Sequence, residues 1–363
     1  MGFSLGIVGL PNVGKSTLFN LLAKAKADVS NYPFTTIKPN VGVVAVPDER
    51  LAAVKQLIGS AKAVPTVIEF HDIAGLVKGA HKGEGLGNQF LANIREADAI
   101  AHVVRCFADP NITHVEGAVD PRRDSELIKA ELILADLAAI DKKFEACRGA
   151  VKAGDKKILK YLHLLDKLKE HLGRGLPARS VLRSMNQEDL ALLSDLSLLT
   201  AKPVLYIANV DETGNRAEVD FVRQIAKEEG AQLVAICAKL EQEIGELPPA
   251  EAQEYLKAVG LEEFGLQRLI KAGYELLELI TFFTANDKEC RAWTTRREEK
   301  APKAAGKVHS DMEKGFIAAE VIHFADLAAA GSYTKAREKG LLHTEGKEYL
   351  VQDGDLILVR FVV

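Results

Sequence analysis

Gly9-Leu10-Pro11-Asn12-Val13-Gly14-Lys15-Ser16-Thr17 reads GxxxxGK[ST], with both glycines, the lysine and the hydroxyl residue at the required spacing. Phe3 to Val8, just before it, form the short apolar run of a buried strand. Leu18, Phe19, Leu21 and Leu22, just after it, keep a helical spacing. The motif therefore sits at a strand-to-helix turn, the context that separates a phosphate cradle from a chance match. There the backbone N–H groups of Asn12, Val13, Gly14, Lys15, Ser16 and Thr17 face the phosphates, and the helix N-terminus adds its dipole. Lys15 reaches the β- and γ-phosphates, and the Ser16 hydroxyl ligates Mg²⁺. The plain alternative is a glycine turn that only joins strand to helix, and the complete motif in its setting argues against it. The expected ligand is a nucleoside triphosphate.

Working outward, 363 residues exceed one ordinary core, so two or three domains are expected. The apolar share of 47% and charged share of 27% are those of a globular protein. A net charge of −4 argues against a generally basic nucleic-acid coat, so any RNA contact must come from local patches, and DNA is not an expected partner. Cys106, Cys147, Cys237 and Cys290 are scattered, with no C-x-x-C pair, which reads as reduced packing residues. No apolar run approaches the roughly 18–20 residues of a membrane span. The chain enters a strand directly, with no signal peptide, so a cytoplasmic enzyme without a membrane partner is expected.

In chain order, Asn31 to Asn40 hold two prolines around Thr35 and Thr36, which predicts an extended loop. Val41 to Val46 predict a strand, and Asp48 caps a helix to about Ile58. Thr66 to Phe70 predict the next strand, which runs into Asp72-Ile73-Ala74-Gly75 and a glycine-rich segment to Gly87. A helix to about Glu96 and a strand from Asp98 to Phe107 follow. Leu127, Ile128, Leu132, Ile133, Leu137 and Ile140, then Ile158, Leu159, Leu162, Leu165 and Leu168, recur at helical spacing around Gly149 to Gly154. That predicts a helical hairpin. Ten Lys/Arg against five Asp/Glu between Asp141 and Arg174 make it locally +5. This reads either as a solvated helix face or as a docking surface for RNA or an acidic partner. Strand–helix alternation resumes at Val204 to Ala208 and at Leu233 to Cys237, so the hairpin interrupts a doubly wound, mostly parallel sheet. From about Leu279, short strands are predicted at 280–284, 290–294, 317–321, 348–351 and 356–361, with small helices near 310–314 and 323–330. The domains expected are a P-loop nucleotide-binding domain over 1–121 and 200–278, an inserted helical domain over 122–199, and an α+β unit over 279–363.

These signatures resemble the P-loop GTPases of the Obg branch, and more closely the YchF / Obg-like ATPase family. The resemblance is carried by GLPNVGKST at 9–17, YPFTTIKPNVG at 32–42, DIAGLVKGAHKGEGLGNQFL at 72–91, NVDE at 209–212 and CAK at 237–239. AAGKVHSDMEKGFIAAEV at 304–321 and VQDGD at 351–355 resemble the TGS domain of such proteins, which implies a C-terminal β-grasp fold with a recognition role. The hairpin then corresponds to the inserted coiled coil. Thr36 is the residue expected to reach Mg²⁺ and the γ-phosphate. Asp72, ending a strand beside the phosphate turn, can hold a Mg²⁺-bound water. The Gly75 N–H can bond the γ-phosphate where only a residue without a side chain allows close approach. These contacts need the γ-phosphate, so both loops should tighten with triphosphate and relax after hydrolysis.

Two departures from the ordinary GTPase pattern stand out. Guanine-specific members use Asn-Lys-x-Asp, whose aspartate accepts from guanine N1–H and the exocyclic amine. Here Val210 replaces the lysine and Glu212 the aspartate. Glutamate is one methylene longer and overshoots the paired donors, and losing such a polar pair removes roughly 10⁴–10⁵-fold discrimination. Adenine presents an acceptor at N1, so Glu212 must turn aside while Asn209 still bonds the purine edge. Asp211 is expected to point the other way. The resemblance implies ATP, with Asn209, Val210 and Ala238 around the base. The second departure is Leu76, where many GTPases carry a glutamine that orients the attacking water. Hydrolysis is then slow or uses another group, for which His114 and His81 are the loop candidates, each otherwise a solvated histidine. Asn12 is either a turn residue or a ligand of a monovalent cation, since in related G proteins an asparagine here accompanies potassium dependence. Lys288 to Lys307 carry seven Lys/Arg against three Glu around Trp293, a strip suited to RNA contact or simply a solvated surface. The function expected is a Mg²⁺-dependent ATPase switch that binds the ribosome, through its large subunit or other RNA. Its competitors are a conventional Obg-type GTPase and a nucleotide-gated binding protein with negligible turnover.

Overall fold

All five residues of Ser4–Val8 (β1) are buried, as a strand covered on both faces and flanked on both sides requires. The computed structural model of the chain describes residues 3–24, 40–73, 86–151, 155–261 and 263–362. The remaining strands are Val41–Ala45 (β2), Lys62–Val64 (β3), Val67–Asp72 (β4), Ala99–Cys106 (β5), Val204–Val210 (β6), Gln232–Ile236 (β7), Leu279–Ala285 (β8), Glu289–Arg296 (β9), Phe316–His323 (β10), His343–Glu345 (β11) and Asp355–Phe361 (β12). The first sheet runs β2-β4-β1-β5-β6-β7. Only β2 is antiparallel to its neighbour, so the fold is the expected doubly wound α/β type. Parallel register brings Ile7 beside Asp72, Val8 beside His102, Cys106 beside Val210 and Asn209 beside Ile236. The carboxyl ends of five strands thus meet at one edge, where such sheets bind ligands. Lys15–Lys24 (α1) starts there, directly after β1.

Pro121–Val151 (α4) and Lys156–Gly173 (α5) form the inserted hairpin, following Glu49–Ile58 (α2) and Leu86–Glu96 (α3) in chain order. The two hairpin helices are antiparallel, as the Asp141–Lys169 ion pair across them requires. Ile140, Leu165, Leu168, Leu172 and Leu196 give the insertion a core of its own. Two carboxylates, the buried Asp136 and the partly buried Glu229, tie it to the sheet domain. Asp136 of α4 accepts from Leu199 N (2.8 Å), Thr200 N (2.8 Å) and Thr200 Oγ1 (2.6 Å) at the return point of the chain. Glu229 accepts from Arg179 of the insertion and from Tyr206 Oη of β6 at 3.0 Å. Several of the hairpin's cations are paired internally, Lys143 to Asp195, Lys160 to Glu188 and Asp189, and Arg174 to Glu170.

The second sheet runs β11-β10-β12-β8-β9-β3. Its last strand comes from residues 62–64, far from the others in sequence, and pairs parallel to β9. Helix α2 follows the same route: Leu51 and Val54 pack with Phe283, Cys290 and Ile322 of the C-terminal unit. The strand expected at 348–351 is not one. Only a single bridge joins Leu350 to Lys300, and β11 instead supplies the edge against β10. Trp293 is held from within, its Nε1–H donating to Thr284 Oγ1 (2.9 Å) and Arg291 stacking over its ring at 5.2 Å. Asp136→Ala should leave three donors without an acceptor and lower stability by about 2–4 kcal/mol, read as a shift in the denaturant midpoint.

Candidate nucleotide site

The phosphate loop depends on two close approaches. A Cβ on Gly14, whose φ is +98°, would land on Asn209 Nδ2. A Cβ on Gly9 would lie 2.5 Å from Val103 O of β5. Asn12, between them, adopts the left-handed region at φ +61°. Leu18 N donates to Gly14 O (3.0 Å), which opens α1 and leaves its first N–H groups facing the loop. Lys15 is 7% exposed and donates to Leu10 O at 2.6 Å, closing the loop on itself. Burial pushes its ammonium down to about 8, and the nearby Asp72 carboxylate pulls the other way. Burial likewise raises the Asp72 carboxyl, with Lys15 opposing. Asp72 is fixed at the end of β4 by its N–H bond to Asn40 O (2.9 Å). The exposed Ser16 hydroxyl and the Asp72 carboxylate are hard oxygen donors beside a phosphate-binding turn, the donor chemistry that suits Mg²⁺. No cluster of three or more His, Cys, Asp or Glu fit for a metal occurs among the described residues. Thr36 and Gly75, with Thr35, Leu76 and His81, lie outside the described residues.

At the base end, Asn209 is buried and both ends of its amide are engaged. Its Nδ2 donates to Val13 O (2.9 Å) and its Oδ1 accepts from Ala238 N (3.2 Å). It is thus a strut that joins the phosphate loop to the loop after β7. Val210 packs against the main core. Asp211 Oδ1 accepts from Thr213 N (3.0 Å) and Thr213 Oγ1 (2.5 Å), turning it into its own loop. Glu212 Oε1 lies 3.5 Å from Lys239 Nζ. Both are largely exposed, so the pair is worth only about 0–1 kcal/mol.

His114 sits on the loop after β5. It is 6% exposed and both ring nitrogens are engaged, Nε2 with Asp124 Oδ2 (2.8 Å) and Nδ1 with the Glu116 N–H (3.1 Å). The residue before it meets the phosphate loop: Asn12 Nδ2 donates to Thr113 O (3.1 Å). Reading the sequence alone missed Asp124 and also Arg105, a buried guanidinium on β5 whose Nε and Nη1 donate to Phe107 O (3.1 Å) and Ile112 O (3.0 Å). An arginine inside the mostly apolar run Ala99–Cys106, where His102 is the other polar residue, was the available signal.

Residues 4–135 match a family described as 50S ribosome-binding GTPase, and residues 279–362 match the YchF-GTPase C-terminal family, described as a protein of unknown function. A protein named ribosome-binding ATPase YchF from Bacillus subtilis is 51% identical over 369 residues, with 100% of each chain covered. The chain belongs to the YchF family. A YchF of the same name from Haemophilus influenzae is 50% identical over 365 residues, again covering both chains fully. The solved structure of the Schizosaccharomyces pombe YchF GTPase superposes with a TM-score of 0.87 at 35% identity, covering 99% of this chain and 98% of that one. A GTP-binding protein from Pyrococcus horikoshii, at 19% identity and a TM-score of 0.63, shares the fold over 99% of this chain and 100% of its own. Within the YchF frame, the Asn209 strut should be the common support of both ends of the site. Asn209→Ala leaves Val13 O and Ala238 N unpaired, a loss of about 1–3 kcal/mol, and should weaken ATP and GTP binding by similar factors of about tenfold in calorimetric titration.

Proposed function

We propose that this YchF-family chain is a ribosome-binding, Mg²⁺-dependent ATPase that prefers ATP to GTP and acts as a nucleotide-controlled switch. The relatives at 50% and 51% identity are named ribosome-binding ATPases over their full length, which supports the ATPase and ribosome assignments. The family description that mentions the 50S ribosome favours the large subunit and its RNA as the partner. The cytoplasm is the compartment that fits a ribosomal partner; no helix among the described residues is long and apolar enough to cross a membrane.

The observation that carries the base preference is the fate of the two carboxylates after Asn209. Asp211 bonds within its own turn and Glu212 leans to Lys239, so neither is held where guanine's paired donors need an acceptor. Lys15, with the N–H groups of residues 12–17, binds the phosphates. Ser16, Thr36 and Asp72 would hold Mg²⁺, which would supply neutralisation of the phosphate charge. Thr36 and the Gly75 N–H are the groups that would contact the γ-phosphate, contacts that tighten with triphosphate and relax after hydrolysis. Asn12 donates its Nδ2 to Thr113, and its Oδ1 is the end suited to a potassium ion. His114 replaces the missing glutamine as the group that orients water, once Nδ1 leaves the Glu116 N–H.

A GTPase reading is favoured by the family description and by the name of the S. pombe structure, and nucleotide titration decides between them. ATP should bind at least about tenfold more tightly than GTP, and a Val210→Lys, Glu212→Asp double variant should gain guanine affinity. GTP tighter than ATP in the native chain, or no gain in the variant, would overturn the account of base choice. His114→Ala should lower single-turnover hydrolysis with ribosomes and potassium by about 10²-fold and keep ATP affinity within about twofold.

A further inference from the structure

Residues 107–120 have no regular secondary structure, yet they are clamped from two sides. From the sheet, Arg105 donates to Phe107 O and Ile112 O and stacks over the Phe107 ring at 4.5 Å. At 2% exposure it is among the largest fully buried side chains of the protein. A buried guanidinium is costly unless its donors are hydrogen-bonded, and here the carbonyls of the loop accept them, which fixes the loop to β5. From the helical insertion, Arg123 of α4 donates to Ala118 O (2.6 Å) and to Asp124 Oδ1 (2.8 Å). Asp124 gives its other oxygen to His114 Nε2 at 2.8 Å, with both side chains 3–4% exposed. His114 is therefore held between the nucleotide domain and the root of the insertion.

The two bonds of the ring settle its tautomer. The Glu116 N–H can only donate, so His114 Nδ1 is an acceptor and carries no proton. The proton is then on Nε2, donated to Asp124. The Nδ1 bond comes from an exposed turn and is the longer of the two, whereas the Asp124 bond is shielded from water. Loosening the 115–117 turn frees a basic lone pair on Nδ1 while the ring stays anchored through Nε2.

We infer that Asp124 is a positioning residue for turnover: it sets His114 in the Nε2–H tautomer with Nδ1 available to accept from the attacking water, and it links that geometry to the first turn of α4. A partner that moves the hairpin acts on the hydrolytic loop through this carboxylate. The inference rests on the reading of His114 as the water-orienting group.

The test combines nitrogen-resolved NMR of the His114 ring in the full native chain with kinetics of Asp124→Asn, His114→Ala and the double variant. The native ring should show a protonated Nε2 and a bare Nδ1, and an Nδ1–H tautomer would overturn the inference whether or not any variant folds. Asp124→Asn should lower single-turnover hydrolysis at least about tenfold, with ATP affinity within about twofold in protein that remains folded at the assay temperature. The double variant should be no slower than His114→Ala alone. Native turnover in Asp124→Asn while His114→Ala is inactive would sink the inference and leave the His114 reading standing, as would losses that add. Native turnover in His114→Ala would sink both.

Discussion

One buried amide holds the site together. Asn209 donates to Val13 O and accepts from Ala238 N, so the phosphate loop after β1 and the loop after β7 are fixed to each other through β6. Gly14 makes this possible, because any side chain there would occupy the place of the Asn209 amide nitrogen. The glycine of the motif thus has two duties: it takes a positive φ that favours glycine, and it admits a strut from a strand nearly two hundred residues away. Asn209 keeps the asparagine of the Asn-Lys-x-Asp pattern, while Val210 and Glu212 beside it depart from that pattern.

The loop over residues 107–120 is built on a second principle. It has no periodic structure, and its shape comes from two arginines that bond backbone carbonyls. One belongs to β5 and the other to α4, so the loop lies on the seam between the nucleotide domain and the insertion. Asp136 and Glu229 hold the same seam further along, Asp136 by accepting from Leu199 and Thr200 at the return point and Glu229 by accepting from Arg179 of the insertion and Tyr206 of β6. Buried polar contacts of this kind give a defined orientation where apolar packing alone would allow sliding.

The C-terminal sheet is likewise not an independent appendage. It takes β3 as an edge strand and α2 as part of its core, and Arg50 of α2 pairs with Asp353 at 2.7 Å. The chain leaves the nucleotide domain between β2 and β4 to do this, passing through residues 49–64. A short stretch of chain therefore joins β4, which carries Asp72, to the C-terminal unit.

Much of this was legible beforehand. The phosphate loop, the alternating strands, the helical hairpin and the family likeness were all readable, because each rests on local spacing: glycines and lysine within nine residues, apolar periods of 2 or 3.6 along one element. The strand expected at 348–351 failed because Glu348 to Val351 has the right composition but only one bridging partner, and composition does not reveal partners. The placement of β3 and α2 was hidden for the same reason. Arg105 was visible as an anomaly within an apolar strand, but its purpose was not, since its partners are carbonyls, which every residue has. By itself, the sequence determined that this chain handles nucleoside phosphates and in what order its elements occur, because that chemistry is encoded in contiguous residues. Only the tertiary structure decided that Asn209 is a strut, that Glu212 leans to Lys239 and that His114 answers to Asp124. Those are pairings across loops and domains, chosen by packing geometry and by the cost of leaving a buried polar group alone.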